Sequence, residues 1–463
     1  MVAIRTPRLR QIDLEIILMV KDASNLLNDL LAKAKKAGAD AGDAVYVRSS
    51  SLSVAQRLAQ PEKLERSENS DIGLRVFVGK KQAIVSTSDF SPATLDEVVE
   101  RVVAMAKVVP EDPHCGLADP ADLATKVPEL DIYDSSEPAA ETLIDWANRA
   151  EAAARAVEGV SNSEGAEAGW GRAVVTVVAT NGFAHTYSSS HFSLSAAVLA
   201  GTGTGMERDY DYSGAVYATD LMAPEAVGTS AGKRAVKRLN PRKVASGQFP
   251  VVYDPRVARS LVSHFANAVN GAAIARSTSF LKDSMGKEVF GPGVTIVDDP
   301  HRPRGLRSKP FDGEGVANMK RNVIDAGKLT TWFLDLRSAR QLNLKSTGHA
   351  SRSSGSPPTP SATNLYLTPG AVDPAGLMAD IKEGLYVTEL IGFGVNGLTG
   401  DYSRGAAGFW IENGQIAYPV SEITIAGNLK DMFRNLTQAS DLTFRYGIDS
   451  PTIRVDGMTL AGR

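Results

Sequence analysis

The sequence predicts an α+β protein: an N-terminal domain in which helices cover an antiparallel sheet, followed by a β-rich C-terminal domain. Helix-like and strand-like segments alternate in the first half, whereas strand and turn signals dominate the second half. At 463 residues, 43% of them apolar, the chain also exceeds what one hydrophobic core usually serves. We therefore divide it into an N-terminal extension at residues 1–20, a first domain at residues 21–239 and a C-terminal domain at residues 240–463.

The composition limits the partners and the compartment. A net charge of −3 gives no basic field for a phosphate backbone, so we expect no nucleic-acid partner. The single cysteine, Cys115, excludes a disulfide within the chain and any metal site built from several cysteines. Residues 1–22 lack a signal-peptide pattern, and no window approaches the roughly 20 apolar residues that span a bilayer. We expect a cytoplasmic protein that does not enter a membrane.

The first half opens with a predicted helix that Ser24 caps, whose leucines recur every three to four residues and which Gly38 ends. Four segments rich in β-branched residues then predict strands, at residues 44–48, 52–58, 73–78 and 82–88. A hairpin turn is predicted at residues 79–81 and a second helix at residues 92–108. This order indicates helices packed beside an antiparallel sheet.

The rest of the first domain repeats that alternation. Residues 110–138 are proline-rich and acidic with little periodicity, which is typical of a linker over the surface. A helix is predicted at residues 138–157, and the Asn-Gly pair at residues 181–182 predicts a tight hairpin. After further strands, a short helix at residues 224–238 ends the domain.

The C-terminal domain contains one strong helix signal. Asp254 before Pro255 predicts a helix start, and apolar residues recur at helical spacing up to residue 272. On a neighbouring face lie Ser263 and Asn267, where a metallopeptidase would present imidazoles and a carboxylate. Farther along, the Ser/Pro-rich residues 350–364 predict a mobile loop.

These blocks carry a resemblance to a known family. The helix is followed by ARSTSF, and further blocks read FDGEGV, LDLRSARQLNLKSTGHA, GLYVTELIGFGVNGLTGDYSRGAAGFWIENGQIAYPV and EITIAGNLKDMF. Together with ENSDIGLRVFVGKKQA near the start and SPTIRVDGM near the end, they resemble the TldD/PmbA family over most of the chain.

The resemblance implies paired subunits, one of which carries a His-Glu-x-x-x-His zinc helix and a later cysteine ligand. Alignment through ARSTSF places Val262, Ser263 and Asn267 at those three motif positions, and none of them suits zinc. His264 is out of register, and the C-terminal segment contains no cysteine. The chain thus resembles the PmbA (TldE) type, which implies no catalytic residue and no cofactor in this chain, with zinc in a TldD-like partner.

The six residues Gly400, Asp401, Tyr402, Ser403, Arg404 and Gly405 form the candidate site for substrate or partner binding. Their glycines permit close backbone approach, while Tyr402 and Arg404 are residue types enriched in interface cores. The alternative is a tight β-turn whose arginine is buried for packing.

Four other patterns have ordinary structural explanations. The pair His114-Cys115 lacks an orienting acid, and His185 and His191 lack a carboxylate or cysteine at ligand spacing. GTGTG at residues 201–205 lacks the ending of a nucleotide loop. The cluster Asp298, Asp299 and His301 at a strand end could bind a hard cation, although such clusters more often begin a turn.

Three functional hypotheses remain open. The first is a non-catalytic subunit of a cytoplasmic TldD/TldE-type metallopeptidase that acts as a heterodimer on unfolded or extended peptides, with the partner's zinc polarising water. In that hypothesis this chain presents strand edges to the peptide. The second is a self-sufficient hydrolase at Asp298, Asp299 and His301. The third is a homodimeric peptide-binding module.

Overall fold

A computed structural model describes the backbone of residues 11–462 and the side chains from residue 22 onward. Within that range nine α-helices occur: α1 (Gln11–Lys36), α2 (Pro92–Val108), α3 (Ala140–Arg155), α4 (Pro224–Lys237), α5 (Pro255–Ala268), α6 (Gly271–Ala275), α7 (Leu336–Gln341), α8 (Pro374–Met378) and α9 (Leu429–Arg434). None of the described helices is long and apolar enough to cross a membrane.

Strands make up the larger share of the regular structure. The first domain contains β1 (Ala41–Arg57), β2 (Gln60–Val78), β3 (Lys81–Thr87), β4 (Val160–Ala179), β5 (Ala184–Ala200) and β6 (Glu207–Ala215). The C-terminal domain contains β7 (Gly247–Tyr253), β8 (Ile296–Asp298), β9 (Arg321–Asp325), β10 (Lys328–Leu329), β11 (Ala350–Ser351), β12 (Thr359–Pro360), β13 (Leu365–Leu367), β14 (Glu383–Ile391), β15 (Asp401–Glu412), β16 (Gln415–Asn428), β17 (Leu436–Gln438), β18 (Ile448–Asp449) and β19 (Ile453–Ala461).

The first domain is one antiparallel sheet in the order β3-β2-β1-β4-β5-β6, with four helices on one face. Alternation along β1 explains the layering, because successive side chains of a strand point to opposite faces. Ala44 and Val54 pack toward the helices, whereas Val45 joins Phe183 and Phe311 on the face that meets the C-terminal domain. The predicted α+β class is confirmed.

The C-terminal domain is built around a closed ring of strands. Five strands pair side by side in the order β16-β15-β14-β7-β19. The two outer strands of this order, β16 and β19, also pair with each other, which closes the ring. Helix α5 packs between this ring and a second sheet in the order β10-β9-β8-β13-β18. The largest apolar core of the molecule lies around α5 and contains Val262 and Phe265.

Several local predictions differ from the structure. Helix α1 already runs from Gln11, so Ser24 lies inside it and is not a cap. The first half of the predicted N-terminal extension at residues 1–20 lies outside the described residues. The two predicted strands at 44–48 and 52–58 are one strand, β1, which runs through residue 57, because no turn residue separates them; Leu58 begins the turn that follows. The predicted mobile loop at 350–364 is wrong in part: Arg352 lies buried against the first domain.

Close packing of α3 against α4 depends on a glycine. A side-chain carbon added at Gly228 would lie 1.9 Å from the Ala150 carbonyl oxygen. We expect Gly228→Ala to lower the free energy of unfolding by about 1–3 kcal/mol, because the overlap outweighs the helix propensity that alanine adds. Chemical denaturation measures this, with Gly205→Ala, which meets open space, as the control. A stabilised Gly228→Ala protein would show that the two helices can separate freely.

A buried charge cluster joins the two domains. Asp43 of β1 accepts hydrogen bonds from Arg75, its cross-strand neighbour on β2, and from Arg352 of the C-terminal domain. Arg75 also lies 3.6 Å from Glu314, whose other oxygen accepts the Leu336 N–H. Burial alone would raise the pKa of Asp43, but Arg352 and Arg75 bring that pKa below its ordinary value. The cluster fixes the two domains to each other.

Glu314 and the neighbouring Asp312 make the protein's stability depend on pH. Burial raises the pKa of Glu314 to about 8 and that of Asp312 to about 6, with Arg75 opposing the shift at Glu314. Between pH 4.5, the ordinary value for a glutamate, and pH 8, Glu314 therefore binds more protons in the folded state than in the unfolded state. The free energy of unfolding contributed by this group falls as pH rises through that window.

We expect the stability of the unmodified protein, measured relative to Glu314→Gln, to decrease steadily from pH 5 to pH 8. The comparison with glutamine is needed because His264, whose pKa is lowered to about 4, contributes a slope of the opposite sign. Urea denaturation at half-unit pH steps measures the difference, and the exposed Glu97→Gln serves as the control. A difference that stays constant with pH would mean that Glu314 is ionised in the folded protein.

Candidate functional site

Helix α5 begins as its sequence predicts. The Asp254 carboxylate accepts a hydrogen bond from the Arg256 N–H, and Pro255 takes the first helical position. Leu261, Val262 and Phe265 are buried in the core. The helix is therefore held by its cap and by its apolar face, and its opposite face is free to line a cavity.

The three motif positions do not form a metal site. Val262 is 3% exposed and packs in the core, and the Ser263 hydroxyl donates to the Arg259 carbonyl at 3.1 Å. Asn267 is exposed. A zinc ion takes about three protein ligands from histidine, cysteine or carboxylate, and none of these residues is one. No group of three or more such residues converges anywhere in the described part of the chain. This helix does not fit zinc.

A cavity of about 360 Å³ lies beside α5, between the two domains. Its walls come from α5, from β6 of the first domain and from the ends of β14 and β15. The polar residues that line it include Asp209, Arg256, Arg259, Ser263, His264, Asn267, Glu389 and Arg404. Ligand sites commonly form at such domain boundaries. The motif helix therefore still faces a cleft.

His264 contributes a neutral imidazole to this cavity. Its Nε2 is buried and lacks a hydrogen-bond partner among the described residues. Burial, reinforced by the charge of Arg404, lowers the pKa of His264 to about 4. The ring packs edge-on against Tyr402, with 6.1 Å between the ring centroids. At neutral pH the imidazole is therefore uncharged and adds no positive charge to the cavity.

An ion pair forms a wall that this cavity shares with a larger one. Arg256 donates to the Asp209 carboxylate at 2.6 Å and to the Tyr210 carbonyl at 3.0 Å, so β6 is tied to α5. A second cavity of about 1030 Å³, between α4 and the C-terminal strands, shares Asp209, Arg256 and Thr388 with the first. The Arg256 Nε and the Thr388 hydroxyl are buried without partners among the described residues. Both residues line the two cavities, which therefore form one continuous polar region between the domains.

The structure separates the six predicted binding residues. Arg404 lines the cavity, but Tyr402 is 1% exposed and faces the core, so it presents no aromatic face to solvent. Asp401 and Ser403 are exposed, and Asp401 accepts hydrogen bonds from Thr399 and Asn428.

The two glycines flank this part of the strand. Gly400 adopts a positive φ of 88° just before β15, and Gly405 lies within that strand. The alternative of a tight turn is wrong for residues 401–412, which form a continuous strand. Of the six residues, Arg404 is the one that lines the cavity described above.

The alternative hydrolase cluster is not assembled. Asp298 is fully buried and accepts hydrogen bonds from Thr363 and from the His349 ring. His301 instead contacts the Asn318 side chain at 2.6 Å, and Asp299 lies 3.5 Å from Lys320. Each side chain therefore satisfies a separate structural partner, and no arrangement of nucleophile and base results.

The other histidine patterns, including the pair His114-Cys115, form neither a metal site nor an activated nucleophile. His185 and His191 lie six residues apart on the single strand β5, about 20 Å at the usual rise per residue, so they cannot share a metal. Cys115 is buried, and burial together with the charge of Asp112 raises the pKa of its thiol. A thiol with a raised pKa is a poor nucleophile at neutral pH.

Sequence reasoning missed the arginines of the cavity. Arg256 and Arg259 lie three residues apart on α5, a spacing that places them on one side of the helix, and this signal was available. The carboxylate partner of Arg256 was not, because Asp209 comes from a distant part of the chain. The site depends on contacts between domains.

Family models match three consecutive parts of the chain. The descriptions are PmbA/TldA metallopeptidase domain 1 for residues 42–106, central domain for residues 133–239 and C-terminal domain for residues 246–462. The solved structure of a protein from Bacteroides thetaiotaomicron, described as a candidate modulator of DNA gyrase, superposes with a TM-score of 0.88 at 27% identity, covering 96% of this chain and 99% of that one.

Curated relatives match along almost the whole length. The metalloprotease PmbA of Escherichia coli O157:H7 is 36% identical, covering 97% of this chain and 99% of the relative, and the PmbA homolog of Haemophilus influenzae is 38% identical, covering 93% and 94%. Buchnera aphidicola subsp. Acyrthosiphon pisum (strain APS) has two relatives of this chain. A PmbA homolog is 32% identical, covering 85% of this chain and 87% of the relative, and a TldD homolog is 25% identical, covering 56% and 58%. By its sequence and its fold, this chain belongs to the PmbA/TldD family of metallopeptidases.

Proposed function

We propose that this chain is the non-catalytic, TldE-type subunit of a cytoplasmic zinc metallopeptidase. In this proposal it forms a heterodimer with a TldD-like chain that binds the zinc, and it provides part of the cleft for unfolded or extended peptides. The observation that carries the proposal is the state of α5: its motif positions hold an apolar core residue, a serine and an asparagine, yet the helix still lines a cleft.

The comparisons support a partner chain. One Buchnera strain has both a PmbA homolog and a TldD homolog, and each resembles this chain to a different extent. Two related chains in one organism are what a division of work between a zinc-binding and a zinc-free subunit requires. The second chain is then the place for the metal ligands that α5 lacks.

One strand edge beside the cavity suits an extended peptide. β14 pairs with β7 through residues 385–387, and beyond them residues 389–391 pair with β15 on one side alone among the described strands. An extended peptide can add to such an edge by main-chain hydrogen bonds.

The loop between β14 and β15 is a candidate contact for the partner. Phe393 at its tip is 98% exposed, and Ile391 and Leu398 are also exposed. A group of exposed apolar side chains marks an interaction surface more often than a free one. The loop continues directly from the strand edge beside the cavity, so a subunit bound there would cover the cleft.

We expect Phe393→Asp to weaken association with the TldD-like chain by about tenfold or more, because a charge replaces an aromatic anchor. Analytical ultracentrifugation of the mixed chains measures the dissociation constant. Met319→Asp changes an exposed apolar residue elsewhere and is expected to leave association unchanged. Equal dissociation constants for both variants would show that this loop is not part of the interface.

The proposed function is tested by metal content and peptidase activity. The purified chain, alone and mixed with a relative that carries His-Glu-x-x-x-His, is assayed on denatured casein, and zinc is measured after dialysis. We expect the chain alone to be inert and the mixture to bind about one zinc per pair and to cleave. Cleavage by the isolated chain, abolished by Asp298→Asn, would instead favour the self-sufficient hydrolase. A stable homodimer that ignores the relative would favour the peptide-binding module.

A further inference from the structure

Five arginines line the cavity beside α5, and three of them are neutralised. Arg256 pairs with Asp209 at 2.6 Å, Arg238 pairs with Glu389 at 2.5 Å, and Arg208 pairs with Glu164 at 2.5 Å. Arg259 and Arg404 have no carboxylate partner among the described residues. The cavity therefore presents two uncompensated guanidinium groups.

Both groups are positioned by contacts that use one edge of the guanidinium. The Nε of Arg259 donates to the Arg256 carbonyl at 3.2 Å, and its carbon lies 4.7 Å from the centre of the Tyr446 ring. The Nε of Arg404 donates to the Ile391 carbonyl at 3.3 Å. The terminal nitrogens of both side chains have no hydrogen-bond partner among the described residues and are available to an occupant.

We propose that this cavity binds the carboxylate of a peptide through Arg259 and Arg404. Planar guanidinium groups match a carboxylate because they donate parallel hydrogen bonds to its two oxygens. His264, whose Nε2 is buried and has no hydrogen-bond partner among the described residues, lines the same cavity as a neutral ring beside the two guanidinium groups.

The size of the cavity and its surroundings favour the end of a chain. At about 360 Å³ the space lies near the lower limit of ordinary ligand pockets, which run from about 300 to 1,000 Å³, so it suits one terminal residue. The half-paired edge of β14 at residues 389–391 borders the same cavity, so the preceding residues of the peptide can lie along it. This inference rests on the proposed function, because it assumes that the cleft takes peptides.

The test is direct binding to the isolated chain, measured by fluorescence anisotropy. The probes are three hexapeptides labelled at the N-terminus: one with a free C-terminal carboxylate, the same sequence as an amide, and an amide whose last residue is glutamate. We expect the free acid to bind about ten- to hundredfold tighter than the plain amide, because charged hydrogen bonds contribute about that much.

Arg404→Gln and Arg259→Gln are each expected to remove most of this preference, and Arg404→Lys is expected to restore part of it. Arg101→Gln on the exposed surface of α2 is the matched control and should change nothing. Melting temperatures confirm that each variant is folded. If the glutamate amide binds as tightly as the free acid, the carboxylate site stands and its ligand is an acidic side chain.

Equal binding of the free acid and the plain amide by the unmodified chain overturns the proposal. So does an unchanged preference in folded Arg404→Gln and Arg259→Gln proteins. Because the isolated chain is used and no cleavage is measured, either result is independent of whether the mixed subunits show peptidase activity. A failure of the carboxylate site and a failure of the subunit proposal are therefore distinguishable.

Discussion

Replacing Asp43 by asparagine is expected to lower the free energy of unfolding by about 3–5 kcal/mol, which is the usual cost of breaking a buried ion pair from one side. Asp43 is 2% exposed and lies between the guanidinium groups of Arg75 and Arg352. Asparagine keeps the shape but removes the charge on which both arginines depend. This is a large effect, because whole domains are stable by about 5–15 kcal/mol.

Arg352 makes the substitution costly. Its Nε and one terminal nitrogen are already buried without hydrogen-bond partners among the described residues. Its other terminal nitrogen bonds to Asp43, so Asp43→Asn leaves a buried guanidinium that no carboxylate neutralises. Arg75 retains a second polar partner in the Glu314 carboxyl group, 3.6 Å away. The loss therefore acts mainly on the contact between the two domains.

Chemical denaturation measures the loss, and Asp96→Asn is the matched control. Asp96 forms an exposed ion pair with Lys33, and such pairs contribute about 0–1 kcal/mol. The double variant Asp43→Asn with Arg352→Met removes both charges and should recover part of the stability, since an apolar pair often replaces a buried ion pair well. If Asp43→Asn alone stays within 1 kcal/mol of the unmodified protein, water reaches the cluster and the ion pairs do not hold the domains together.

The helices and turns that were predicted correctly are those whose start and end are determined by residues close by in the sequence. Residues 92–108 form the predicted helix, and the start of α5 at Pro255 follows from Asp254 one residue earlier. Such cap and turn signals act over a few residues and need no knowledge of the rest of the fold. The register of the hairpin between β2 and β3 likewise follows from the turn at Gly79, whose φ is positive.

What could not be predicted depends on contacts between distant residues. Asp43 and Arg352 are 309 positions apart, so no window of the sequence shows that they meet. Tyr402 and Arg404 lie two residues apart on β15 and therefore share one face of the strand, yet Tyr402 is buried in the core and Arg404 lines the cavity, because the ring of strands closes through β16 and β19. Burial of Tyr402 and exposure of Arg404 to the cavity depend on that closure. The candidate site was therefore predicted at the level of its helix but not of its cavity.

Introducing histidine at the first motif position is expected to destabilise the protein without creating a metal site. Val262→His should lower the free energy of unfolding by about 2–4 kcal/mol, because a larger polar ring enters a core position that is 3% exposed. Asn267→His at an exposed position should change it by no more than about 0.5 kcal/mol. The two substitutions place the same residue on the same helix. The difference between their free energies of unfolding therefore measures the cost of putting histidine in the core instead of at the surface.

The triple variant Val262→His, Ser263→Glu, Asn267→His is expected to retain no zinc after dialysis and to leave casein intact. Two histidines fall short of the three protein ligands of a catalytic zinc. Cys115, the single cysteine of the chain, is buried in the linker that follows α2 and cannot complete the set. Measured zinc near one per chain, with stability close to that of the unmodified protein, would show that α5 still has the geometry of a metal helix. The expected result instead means that these three substitutions on α5 do not create a zinc site, which agrees with the proposal that another chain binds the metal.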